Sequence, residues 1–167
     1  MVLSKIFARK PQAASRLYGA IVAAARREKF YAEWDVPDTL DGRFDMVVLH
    51  MFLVLDRLKG GNERFRQQLT DMFFSDLDRT LREMGVGDLS VSKKIRPMAE
   101  AFTGRMKAYL LAMDQGDDAL LEALWRNVYA GENNPKARLL GSWMNENKAN
   151  LLATPTEQLL IGELNFA

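Results

Sequence analysis

Between Glu33 and Asp45 the chain sets Glu33, Asp35, Asp38, Asp41 and Asp45 around Trp34, Pro37, Thr39 and Gly42, directly ahead of its most apolar stretch. Carboxylates gathered in this way are the preferred ligands of a hard cation. These lack the ligand spacing and closing glutamate of a calcium-binding loop, so no metal site is expected. Asp41 and Asp45 have another use at the start of a helix, where a carboxylate caps free N–H groups and complements the helix dipole. The remaining acids, with Trp34, Pro37 and Thr39, are free to form a binding rim. Such a run of shape-setting residues reads as a surface with a job, and the plain alternative is a capped interhelical connection.

His50 is the only histidine and cysteine is absent. That removes thiolate nucleophiles, thiolate zinc sites, disulfides and multi-histidine metal sites together. His50 stands mid-helix between Leu49 and Met51, where a neutral imidazole satisfies one donor and one acceptor without doing chemistry. Val47 and Val54, its helical neighbours, offer it no carboxylate. We expect a structural histidine, no catalytic residue and no cofactor. Carboxylate chemistry, which needs only two acids, stays open at this point.

A second charged group is basic: Lys93, Lys94, Arg96, Arg105 and Lys107, with only Glu100 against them. Together with Lys5, Arg9, Lys10, Arg16, Arg26 and Arg27 near the amino terminus, this patch suits contact with ribosomal RNA or anionic lipid. The plain alternative is a solvated helix face. The 23 basic and 22 acidic residues leave a net charge of +1, so there is no global field for DNA, and no RNA-binding motif occurs.

The elements that position these groups are helical. Alternation of period two is almost absent, and three-and-four spacing recurs between turn signals, which predicts an all-α bundle of about seven helices. The first is expected from near Pro11 to beyond Tyr31, leaving residues 1–10 as a basic arm ahead of a single helical domain over 11–167. The second is expected from an Asp41 cap to Gly60-Gly61, and being apolar nearly all round it belongs at the centre of a bundle. The third runs from an Asn62 cap to Gly85, with Phe65, Leu69, Met72, Phe73, Leu77, Leu81 and Met84 on its inner face. The fourth starts at Ser90 or Ser92 or, given Pro97, nearer Arg96. Asp117, Asn134-Pro135 and a Thr154 to Glu157 capping box open the last three. Met98, Met106 and Met113 fit either the core or the border of a groove.

A chain of 167 residues is one domain by size. The longest apolar run, Met46 to Leu55, is interrupted by His50 and falls short of the roughly 20 residues that cross a bilayer. The acid-free basic start also marks mitochondrial presequences and membrane-surface helices, and it has no secretory signal core.

Three collinear segments, VPDTLDGRFDMVVLHMFLVLDRL, GVGDLSVSKKIRPMAEAFTGRMKAYLLAM and LLEALWRNVYAG, resemble the ubiquinol-cytochrome c chaperone family over about residues 17–131. The resemblance implies a non-enzymatic assembly chaperone for the respiratory cytochrome bc complex, which binds newly synthesised cytochrome b with a small partner protein near the ribosome. It also implies a bacterial cytoplasmic placement with peripheral contact at the inner membrane, the alternative being the mitochondrial matrix face of that membrane. The residues it points to for partner contact are Trp34, Pro37, Asp38, Thr39, Arg43 and Phe44. The residues after Gly131 lie outside the resemblance. A second reading is a peripheral membrane or RNA-binding and ribosome-binding helical adaptor without a dedicated client.

Overall fold

The computed structural model describes residues 2–167, with side chains described from residue 12 onward. The described residues form eight helices and no strand: α1 (Val2–Ala25), α2 (Glu28–Ala32), α3 (Leu40–Arg57), α4 (Glu63–Glu83), α5 (Asp88–Gln115), α6 (Asp117–Asn127), α7 (Ala137–Ala153) and α8 (Thr156–Leu160).

The bundle is organised around α3. Met46, Val48, Leu49, Met51, Phe52, Leu53, Val54 and Leu55 are all buried, so no face of this helix is left for solvent along its middle. Helix α1 packs on one side of it, α5 on another and α7 on a third. Helix α4 closes against α1 and α5, and α6 fills the angle between α5 and α7. On α4, Phe65, Leu69, Phe73, Leu77 and Leu81 point inward at helical spacing, and Phe73 stacks on Phe102 of α5 with centroids 5.1 Å apart.

The helix ends differ from the sequence expectation in instructive ways. The backbone is already helical at Val2, so residues 2–10 continue α1 rather than forming an arm, and Leu3, Ile6 and Phe7 at three-and-four spacing were the missed signal. The expected first helix is also two. Arg27 adopts an extended backbone (φ −58, ψ 130), the ladder breaks, and α2 turns Phe30 into the core.

Capping follows backbone geometry more than residue type. Thr39, extended at φ −121 and ψ 170, caps α3 by accepting a hydrogen bond from Gly42 N at 3.1 Å, while Asp41 sits inside the first turn. Asn62 occupies the cap position of α4 but its side chain makes no capping bond. Helix α5 starts at Asp88 after Gly87 and carries Pro97 inside it. Gly116 precedes α6 and places Asp117 in its first turn. Asn134 accepts from Lys136 N in the turn before α7, and the Thr154 hydroxyl donates back to Asn150 O instead of closing a capping box. Gly60 and Gly61 end α3, and Gly85 ends α4, all at positive φ.

The carboxyl-terminal residues pack on the domain. Phe166 is buried, Trp143 Nε1 donates to Ala167 O at 2.7 Å, and Ala167 N donates to Asn147 Oδ1. Arg27 Nη2 reaches Phe166 O at 3.0 Å. This ties the α1–α2 junction to α7 through the tail.

Met51 is fully buried and Phe73 is 3% exposed. Met51→Ala and Phe73→Ala are each expected to lower stability by about 2–5 kcal/mol, read as a shift in urea midpoint. An unchanged midpoint for either would contradict the inward placement of that face.

Candidate functional site

The acidic connection is tied to the helices around it at several points. Val36 is buried as its anchor, and Tyr129 Oη donates to Trp34 O at 2.8 Å, binding the loop to the turn after α6. Asp35 takes a positive φ of 56 and accepts from Lys136 Nζ at 2.9 Å and from Asn134 Nδ2. These hydrogen bonds hold the Asp35 carboxyl below its ordinary range. Gly42 closes the arrangement, since a Cβ there would lie 1.8 Å from Pro37 O. Only glycine lets the loop lie this close over the first turn of α3.

Beside this loop a groove of about 530 Å³ runs between the start of α3, the middle of α5 and the α6–α7 turn. Pro37 and Thr39 form one lip, Pro97 and Met98 the other, and Val128 and Ala130 close the end. The floor is polar: Asp45 is buried, and its Oδ1 lies 2.8 Å from Arg105 Nη2. The contact is one of charges rather than of an aligned hydrogen bond, because Asp45 Oδ1 and Arg105 Nε both lack a hydrogen-bond partner. Burial pushes the Asp45 carboxyl up to about 7, with Arg105 opposing the shift and Asp41 adding to it. The Arg105 guanidinium also covers the Phe44 ring at 5.4 Å. Tyr109 Oη and Asn127 Nδ2, also buried and unpartnered, add to this underpaired set, and burial with the nearby Asp45 charge raises the Tyr109 phenol above its ordinary range.

The groove regroups the residues singled out from sequence. Pro37 and Thr39 line it, Trp34 backs the loop half-buried, and exposed Asp38 and Arg43 pair with each other at 2.7 Å beside it. Phe44 also lines the groove, although it is only 8% exposed and packs on Phe73. The basic patch is not a single surface. Arg105 turns inward to Asp45, Arg96 pairs with Glu100 at 3.4 Å, and Lys93, Lys94 and Lys107 stand exposed. Asp45, expected to serve the α3 terminus, serves α5. A lone acid between Phe44 and Met46 in an apolar run was the signal, since a buried carboxylate needs a partner elsewhere. Met98 borders this groove and Met106 a second one between α3, α4 and α5, whereas Met46, Met51 and Met144 are core.

His50 takes no part. Its Nδ1 donates to Met46 O at 2.7 Å, which leaves Nε2 unpartnered. Phe30, Trp143 and Phe166 surround the ring at 4.7–5.5 Å. Burial drives its pKa down to about 3, so it stays neutral. Among the described residues no helix is long and apolar enough to cross a membrane.

Apolar residues thus border the groove, and the Asp45–Arg105 pair lies at its floor. The profile of the family described as "Ubiquinol-cytochrome C chaperone" matches residues 32–166. The chain belongs to the ubiquinol-cytochrome c chaperone family. This is a family of assembly chaperones rather than of enzymes. The match reaches well past Gly131, so the tail belongs to the shared domain.

Among solved structures, the crystal structure of the Cbp3 homolog from Brucella abortus is 40% identical and covers 100% of this chain and 97% of its own, with a TM-score of 0.87. Ubiquinol-cytochrome-c reductase complex assembly factor 1 of Xenopus laevis is 26% identical over 70% of this chain and 60% of its own length. The human factor of that name is 28% identical over 70% of this chain and 40% of its length. Protein CBP3, mitochondrial, of Saccharomyces cerevisiae is 27% identical over 63% of this chain and 33% of its length. The chain thus spans between 33% and 60% of the length of these curated relatives.

Two predictions follow from the groove. Gly42→Ala drives a Cβ into the Pro37 carbonyl, so it should displace the loop and lower stability by roughly 1–3 kcal/mol, read by urea melting together with faster amide exchange at Val36. The second concerns pH. An unfolded Asp45 loses its proton near pH 4 whereas the folded one keeps it to about 7, so this group lowers stability as pH rises through that window. His50, with its folded pKa near 3, acts oppositely, its contribution being lost as pH falls below about 6.5. Asp45→Asn removes only the first effect. Its stability relative to wild type should therefore increase from pH 4 to 7, by up to roughly 1.4 kcal/mol per unit, and a flat difference would contradict the raised Asp45 carboxyl.

Proposed function

We propose that this protein is an assembly chaperone for ubiquinol-cytochrome c reductase, the cytochrome bc complex, and that it holds newly synthesised cytochrome b in the groove between the acidic loop and α5. The observation that carries the proposal is the groove itself, formed by residues of the family-matching segments that lie far apart in the chain. The names of the curated relatives, assembly factors of that complex, supply its direction.

The chemistry fits transient holding. Met98 and the prolines give an adaptable apolar lip, suited to a segment destined for a membrane. The Asp38–Arg43 pair, exposed on both sides, contributes little to folding and is available for selecting a partner. Trp34, Pro37, Asp38, Thr39 and Arg43 form the proposed contact rim, with Phe44 as its support. A small partner protein and the ribosome belong to the same proposal. The 40% identity to a Brucella abortus chain along the whole length supports a bacterial cytoplasmic placement.

The test is photocrosslinking in growing cells with a photoreactive residue at Asp41, which lines the groove and is exposed. Thr39 is avoided because its hydroxyl caps α3. Capture of cytochrome b, reduced several-fold by Asp38→Ala with Arg43→Ala or by Ala101→Arg, is the expected result. Capture of only RNA, lipid or unrelated soluble proteins would overturn the proposal.

A further inference from the structure

The turn between α4 and α5 presents apolar side chains that no other part of the described protein covers. Leu89 is 89% exposed, the highest value among the large apolar side chains described, and Met84 is 60% exposed. Met84 was expected on the inner face of α4. It instead caps the end of that helix, past the last buried residue, Leu81.

Cations accompany these residues in a particular order. Lys93 and Arg96 follow Leu89 at the spacing of one helix face. Val91 is 1% exposed and fixes the opposite face against the protein, so Leu89, Lys93 and Arg96 all meet solvent. By helical rise, Lys93 stands about 6 Å and Arg96 about 10 Å back from Leu89 along the axis. Lys94, on the adjoining face, is exposed as well.

The nearby acids pair with arginines across exposed contacts. Arg82 bridges Asp78 and Asp88, and Glu83 lies 3.9 Å from Arg79. Neither Lys93 nor Lys94 has an ion pair among the described residues. The Arg96–Glu100 pair joins two largely exposed side chains and holds Arg96 only weakly. The turn therefore combines protruding apolar groups with two exposed lysines, Lys93 and Lys94, that have no ion pair among the described residues.

We propose that the α4–α5 turn docks on an anionic lipid bilayer, with Leu89 and Met84 entering the acyl boundary and Lys93, Lys94 and Arg96 lying among the headgroups. The stagger matches the layer it must cross. A headgroup region is roughly 5–8 Å deep on each side of the hydrocarbon, about the distance from Leu89 back to the first cation. RNA would take the cations but leave Leu89 and Met84 in water, so the apolar pair decides for lipid. The client groove begins directly after this face, at Pro97, and runs on along α5 to Arg105.

The test is flotation of the full chain with vesicles of phosphatidylcholine alone and of phosphatidylcholine with an equal part of phosphatidylglycerol. The expected result is binding to the anionic vesicles only. Lys93→Gln with Lys94→Gln should lower that partitioning roughly 30-fold, and Leu89→Asp roughly tenfold or more. All three positions are exposed, so unchanged thermal melting confirms that the variants are folded. No binding to anionic vesicles would overturn the proposal. So would binding that both variants retain in full, which would place the contact elsewhere, or binding indifferent to Leu89→Asp and competed away by polyuridylate, which would make the ligand a nucleic acid.

Discussion

A helix that is apolar on every side cannot be stable at a surface, and that constraint on α3 organises the molecule. Each of its large buried side chains gains roughly 1.5–3 kcal/mol by leaving water, but only if neighbours arrive from every direction. Helices α1, α5 and α7 supply most of them, and Phe73 of α4 and Phe30 of α2 reach α3 as well. The tail completes the enclosure, with Phe166 closing over His50 and Trp143. His50 can stay neutral there because aromatic rings, rather than water, surround it.

The same helix leaves the core at its amino-terminal end, and there the packing rule changes. Asp45 is buried against Arg105 without an aligned hydrogen bond, and several polar atoms around them lack partners. Unpaired buried groups each cost about 1–3 kcal/mol, so a region that collects them is less settled than the rest of the core. Such a region is well suited to adjust when a partner arrives. Above it lies a loop tied down at Gly42, Tyr129 and Lys136.

Much of this architecture was legible in the chain. The three-and-four periodicity, the all-round apolarity of Met46 to Leu55 and the glycines at 60, 61 and 85 determined an all-helical class, a central α3 and two of the helix ends, because each depends on neighbours a few residues away. Family membership was legible too, since it rests on the order of residue types. Caps were less so: Asp41, Asn62 and Asp117 are good capping residues, yet the cap is made by whichever residue holds the extended backbone at the boundary, as Thr39 does.

Only the tertiary structure decided which distant side chains meet and which are left out. Phe44 goes in beneath Arg105, Leu89 stays in water, and the basic patch divides because Arg105 turns to Asp45. The physical reason is that helix orientation and register come from many small packing terms spread over the whole chain. A local pattern states that a residue needs a partner, while the sum of those terms chooses which one it gets.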